Sequence, residues 1–148
     1  MPRLNVILIA AATATCVALL RPTPADATTA GCTAATLTGT YGYVTAGFFA
    51  TAPFVGAGTL TFDGVKKLKG SRLYSDQGSP LSLEVKGHYK VDTDCSVTIA
   101  YDVYRGTSIY ESSTWAGSVV YGGQKISLIS ESDSAGATTA TLVLELVP

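Results

Sequence analysis

His88 is the single histidine of the chain, and it stands between Lys86 and Lys90 in a run of alternating polar and apolar residues. That alternation turns it outward with its two lysine neighbours. A catalytic or metal-ligating imidazole needs an orienting partner and shelter, and neither is offered here. His88 therefore reads as a solvated surface residue. One His and three Cys without a C-x-x-C spacing give no zinc set and no dithiol redox pair. Serines are abundant, but there is no G-x-S-x-G, so a Ser-His-Asp hydrolase is disfavoured. No residue is assigned a catalytic role, and no metal or other cofactor is expected.

The carboxylates are more informative. Leu81, Leu83, Val85, Gly87, Tyr89 and Val91 alternate with Ser82, Glu84, Lys86, His88 and Lys90. Beyond Asp92-Thr93-Asp94 the alternation resumes in Cys95, Val97, Ile99, Tyr101 and Val103. A hairpin pairing Val91 with Cys95 sets Tyr89 opposite Val97, Val85 opposite Tyr101 and Leu83 opposite Val103. Every apolar position then shares one face, which a one-residue slip would destroy. The same register sets Glu84 directly across from Asp102. Sheltered, two facing carboxylates would raise one pKa and offer acid–base chemistry; on an open polar face they are simply an exposed pair relieved by Lys86. Asp92 and Asp94 fall short of the six to eight oxygens that Ca²⁺ takes, and read as an Asx-type turn.

Aromatic residues are the remaining signal. The chain carries eight Tyr, four Phe and one Trp. Tyr41, Tyr43, Tyr89 and Tyr101 fall in apolar rows that face inward, and with Trp115 they are the candidate lining of an interior pocket. The alternative is that these rings only fill the interior.

Positioning these residues requires strands. Thr, Ser, Tyr and Val dominate, long helix formers are few, and no helical period follows residue 28. Eight strands are expected, over about 36–47, 54–62, 66–75, 81–91, 95–104, 108–121, 124–132 and 138–147. Between them lie Asp63-Gly64, Asp76 to Pro80, Asp92 to Asp94, Arg105-Gly106, Gly122-Gly123 and Ser132 to Ala137, all with turn chemistry. Leu37, Gly39, Tyr41 and Tyr43 form an inward row on the first strand, and Leu142, Leu144 and Leu146 on the last. Val143 and Val147 leave the last strand apolar on its other face as well. Short connections demand antiparallel neighbours, so the fold class is all-β. An up-and-down β-barrel of about eight strands removes exposed edges; a two-sheet sandwich is the alternative.

Composition agrees. The 148 residues are 47% hydrophobic and 14% charged with a formal net charge of −1, so a single folded domain is expected and nucleic acid is not a partner. Leu4 to Leu20 carries no charge, Pro22 and Pro24 follow, and Ala25-Asp26-Ala27 fits a small-x-small cleavage site. Residues 1–27 read as a signal peptide, 28–35 as an N-terminal segment and 36–148 as the barrel, secreted or periplasmic and without membrane insertion after cleavage. An uncleaved anchor is a weaker reading on the length of the apolar run. A lipid anchor on Cys32, from Thr29-Ala30-Gly31-Cys32, is another. Cleavage also removes Cys16, leaving Cys32 and Cys95 to form a disulfide closing a loop of about 64 residues.

Leu37-Thr38-Gly39-Thr40-Tyr41, just after Cys32, resembles the opening strand of calycin barrels (lipocalins and avidins), with Tyr41 where their G-x-W carries Trp. The last strand lacks the Arg that lipocalins pack across that Trp. Thr59-Leu60-Thr61-Phe62-Asp63-Gly64, Leu68-Lys69-Gly70 and Gly87-His88-Tyr89-Lys90-Val91-Asp92-Thr93-Asp94-Cys95 resemble patterns in small uncharacterised bacterial exported proteins. The calycin resemblance implies a barrel; neither resemblance names an activity. Allene-oxide-cyclase-like and dirigent barrels share the architecture, but none of their motifs occurs. The expected function is binding of a small apolar or aromatic molecule inside the barrel, without catalysis. The alternatives are a cofactor-free cyclase or isomerase, with Tyr hydroxyls and Glu84 or Asp102 handling protons, and a structural or interaction protein. In the last case the C-terminal strand, apolar on both faces, would cover a partner or a second copy in a homodimer.

Overall fold

The computed structural model describes residues 31–49, 52–76, 79–134 and 137–148, and the signal peptide assigned to 1–27 lies outside them. The strands are β1 (Thr38–Phe49), β2 (Ala52–Asp63), β3 (Lys67–Asp76), β4 (Ser79–Val91), β5 (Ser96–Arg105), β6 (Ser108–Val120), β7 (Lys125–Asp133) and β8 (Ala137–Leu146). Each pairs antiparallel with its successor, and β8 returns to pair with β1 from Tyr41↔Leu146 to Phe49↔Ala137. This is the up-and-down eight-stranded barrel; one sheet closed on itself leaves no second layer for a sandwich.

The β4–β5 hairpin keeps the expected faces but not the expected register. Val91 pairs with Val97, Tyr89 with Ile99, Gly87 with Tyr101 and Val85 with Val103. The shift is two residues, so parity survives and the apolar row stays inside. Its cause is the turn. Cys95 adopts φ 67°, its N–H bonds the Asp92 carbonyl at 2.9 Å, and the Asp92 N–H bonds the Ser96 carbonyl at 2.9 Å. A tight turn followed by a left-handed residue makes a three-residue loop with a bulge. Cys95 thereby belongs to the turn rather than to β5. Asp94 fixes it by accepting from the Ser96 N–H at 3.0 Å and hydroxyl at 2.7 Å.

That rim is the closed end of the barrel. The Cys32–Cys95 disulfide, with Cα atoms 4.9 Å apart, draws the N-terminal segment beneath it. A 3₁₀ turn at Ala34–Thr36 follows, and Leu37 is completely buried. The Tyr89 hydroxyl lies 3.1 Å from the Leu37 carbonyl and 3.2 Å from that of Ala34, and the Tyr41 hydroxyl donates to the Gly123 carbonyl at 2.5 Å. Phe62 packs edge-on between the two rings, with centroids 5.2 Å from Tyr41 and 5.0 Å from Tyr89. Ile126 and Leu144 complete this apolar half of the core.

Bending a sheet into so small a barrel brings strands close where no side chain intervenes. A Cβ on Gly70 would stand 1.9 Å from the Thr59 carbonyl oxygen, and one on Gly117 equally close to that of Ser127. Only glycine fits such a contact. On β8, Leu142 and Leu144 are fully buried as expected, but Leu146 is 40% exposed because it lies at the rim where the chain leaves the sheet.

Candidate functional site

The other half of the interior is polar. β3 alternates Leu68, Gly70, Arg72 and Tyr74 inward, and β6 alternates Glu111, Ser113, Trp115 and, beyond Gly117, Val119. Arg72 and Glu111 meet across the interior with Nη1 2.5 Å from Oε1, and both side chains are 3% exposed. Ser113 Oγ lies 2.8 Å from Glu111 Oε1 and 3.1 Å from Asp133 Oδ2. The Arg72 guanidinium also stands 5.7 Å from the centre of the Tyr74 ring, a cation–π distance. A buried charge is tolerated when it is paired and hydrogen-bonded, and Glu111 meets both conditions.

Two donors in this region lack a well-formed hydrogen bond. Arg72 Nε is buried without a partner, and the buried Trp115 Nε1 is directed at the Tyr101 hydroxyl without reaching good hydrogen-bond geometry. Buried N–H groups are nearly always satisfied, so these two are exceptions among the described residues. Tyr101 ties the two together. Its ring stacks on Trp115 with centroids 6.5 Å apart and an interplanar angle of 18°. Burial raises the pKa of its hydroxyl, the Arg72 charge opposes that rise, Tyr43 and Glu111 add to it, and the Trp115 N–H directed at the hydroxyl opposes it. Tyr43 completes the group: its hydroxyl donates to the Ser71 carbonyl at 3.3 Å, and burial pushes its pKa up to about 12 against the pull of Arg72. For Arg72 burial works against the charged form, but Glu111 and the two tyrosines more than offset it, so the guanidinium pKa rises.

The five candidate lining residues thus divide. Tyr43 and Tyr101 lie close enough to the Arg72–Glu111 pair to feel both charges, and Trp115 stacks on Tyr101. Tyr41 and Tyr89 close the opposite end, each hydroxyl engaged with a backbone carbonyl. Arg72, Glu111, Ser113 and Asp133 were not among the candidates. Parity could have found three of them: Arg72 follows Leu68 and Gly70 in the inward phase of β3, and Glu111 and Ser113 precede Trp115 in that of β6.

The carboxylate pair expected on β4 and β5 does not form. Asp102 faces Lys86 and Glu84 faces Tyr104, because the hairpin register is shifted by two. Glu84 instead bonds Lys86 at 2.9 Å, with both side chains more than half exposed, and Asp102 accepts from the Ser112 hydroxyl at 2.6 Å. His88 is exposed on the same face. Among the described residues no three His, Cys, Asp or Glu side chains gather to hold a metal ion, and no helix is long and apolar enough to cross a membrane. The bridge to Cys95 uses the Cys32 sulfur that a lipid thioether would require, so bridge and anchor exclude one another.

On the outside, the wall around β8 is apolar. Val143 lies between Val44 on β1 and Ser127 on β7, and Ile129 faces Thr141. Val44 and Ile129 are each 62% exposed. No protein-family model matches this chain, and neither does any curated protein.

Proposed function

We propose that this protein is an exported, calycin-like barrel that holds a small molecule with an apolar or aromatic body in the half of its interior marked by Arg72 and Glu111, without converting it. The observation that carries this reading is the polar cluster itself, a buried ion pair with the Arg72 Nε–H left without a partner and with Tyr43 and Tyr101 close by. A protein that needed only a filled core would gain nothing from burying an ion pair, since well-packed apolar residues serve stability as well or better. Export is supported by the disulfide, which an oxidising compartment maintains.

A thermal-shift screen of fatty acids, polyketides and aromatic compounds tests the reading. A binder at a hundred times its dissociation constant adds about 2.7 kcal/mol and raises the melting temperature by several degrees. A screen in which no compound moves the melting temperature goes against it.

A second reading rests on the exposed row of Val44, Val143 and Ile129, through which two copies would meet. Light scattering that finds a monomer at high concentration removes it. The isomerase alternative loses Glu84 and Asp102, which are solvent-facing, and would have to rest on Glu111.

A further inference from the structure

We infer that the groove beside Tyr121, on the outer rim of the barrel, is a second binding site and that it takes a neutral sugar ring. The inference is independent of the interior reading above. Tyr121 opens the turn between β6 and β7, where it adopts φ 53°, followed by Gly122 at φ 63° and Gly123 at φ 94°. Turn geometry explains the two glycines. The Gly123 carbonyl receives the Tyr41 hydroxyl, and a Cβ on Gly123 would stand 2.2 Å from the Thr36 carbonyl oxygen. It does not explain the tyrosine. A left-handed backbone strains a residue with a bulky side chain, and Gly or Asn would make the same turn without that strain. Burying the ring would offset the strain, but Tyr121 is 78% exposed, so the ring gains little from its own chain. Strain held at an exposed aromatic points to function.

Tyr121, Gln124, Lys125, Glu145, Leu146 and Pro148 line a groove of about 460 Å³. That lies within the roughly 300–1,000 Å³ of small-molecule clefts. Its side chains are mixed and balanced. Tyr121 offers a ring face and a hydroxyl, Leu146 and Pro148 give apolar backing, and Gln124 carries a donor and an acceptor on one amide. Lys125 and Glu145 bond each other at 3.1 Å, so their charges offset while both reach solvent and keep hydrogen-bonding capacity for a ligand. An ion would meet no unmatched opposite charge among these side chains. An apolar molecule would strip water from Gln124, Lys125 and Glu145 and return nothing for it. A pyranose meets both demands, with a face of C–H bonds to lie on the tyrosine ring and a rim of hydroxyls that each donate and accept. The backbone around the groove is fixed in advance. The Gln124 N–H bonds the Tyr121 carbonyl at 3.3 Å, and the Leu146 N–H bonds the Gln124 carbonyl at 2.9 Å. Such a preformed site spends little of its binding energy on ordering.

The test titrates ¹⁵N-labelled protein with the mono- and disaccharides of glucose, galactose, mannose and N-acetylglucosamine, and with glucuronate and glucosamine as charged counterparts. Binding is read from the backbone amide signals of Gly122, Gly123 and Gln124. At least one neutral sugar should shift these signals with a dissociation constant in the millimolar range, and the two charged sugars should bind no better than it does. Tyr121→Asn removes the ring and accepts a left-handed φ. It should weaken that sugar about fivefold to tenfold while leaving the melting temperature unchanged or higher. A melting temperature lowered by several degrees would make the ring a structural element and overturn the inference. Undiminished sugar binding by Tyr121→Asn would overturn it too, as would a panel in which no neutral sugar moves the three signals. Tighter binding of glucuronate or glucosamine overturns it in favour of an ion site. The interior reading stands or falls separately, on the thermal-shift screen.

Discussion

Arg72 on β3 and Glu111 on β6 join across the interior at 2.5 Å, although β4 and β5 lie between their strands in the wall. The pair acts as a strut between two parts of the barrel that share no ladder hydrogen bonds. It also divides the interior, with the disulfide-bound apolar end on one side and the far rim on the other.

Breaking the strut on one side leaves an uncompensated buried charge. Glu111→Gln is expected to lower stability by about 3–5 kcal/mol in urea unfolding. The double change Arg72→Met with Glu111→Leu should recover most of that loss. A single variant within about 1 kcal/mol of the parent would mean that the charges are not held together in the dry interior.

The disulfide fastens the plug beneath the closed end. Cys95→Ser should cost about 2–4 kcal/mol, which for a domain of this size lowers the melting temperature by roughly 6–20 °C. Intact-mass analysis after alkylation without reduction checks the bond itself. Two alkylated thiols on Cys32 and Cys95 in protein purified without reductant would refute it.

Alkali should unfold the protein through its buried phenols. Burial pushes Tyr43 and Tyr89 up to about 12, and raises Tyr41 and Tyr101 as well. A tyrosine in the unfolded chain ionises near 10. The folded state therefore holds these protons more tightly. The associated stability is fully present below about pH 10 and is lost as pH rises through about 12. Absorbance at 295 nm should show a late-titrating set of tyrosines whose ionisation coincides with loss of the strand signal in circular dichroism. Complete ionisation by pH 10.5 with the fold intact would contradict the burial of these hydroxyls.

Close strand approach makes specific glycines irreplaceable. Gly70→Ala drives a methyl group against the Thr59 carbonyl oxygen and should cost about 2–3 kcal/mol. Gly106 has φ +64° but open space around it, so Gly106→Ala carries only the backbone term, about 1 kcal/mol. Thermal unfolding of the two variants side by side checks the order, and the reverse order would be incompatible with the contact at Gly70.

What the sequence made legible was parity. Alternation located the eight strands and put Tyr41, Tyr43, Tyr89 and Tyr101 inside, because a period of two is set by the backbone alone. Register was not legible on β4–β5. It depends on Cys95 adopting a left-handed conformation, and a β-carbon-bearing residue gives no warning of that. The polar half of the site was hidden for another reason. Scanning for apolar rows passes over an inward Arg or Glu, and on β6 exposed Ile109 and Tyr110 imitate core residues just before Glu111. A bulge between Val103 and Tyr104 shifts the pairing at that rim, so Tyr104 faces Ile109 while Val103 faces Glu111.

The central claim is that the Arg72–Glu111 half of the barrel holds a small molecule. Its most direct test is a crystal structure of the protein soaked with the strongest binder from the thermal-shift screen. The account predicts ligand density inside the barrel beside Arg72, Tyr43 and Tyr101, with a polar atom within about 3.2 Å of Arg72 Nε. A barrel filled at that level by its own side chains, with the compound absent or bound only on the outer wall, would contradict it.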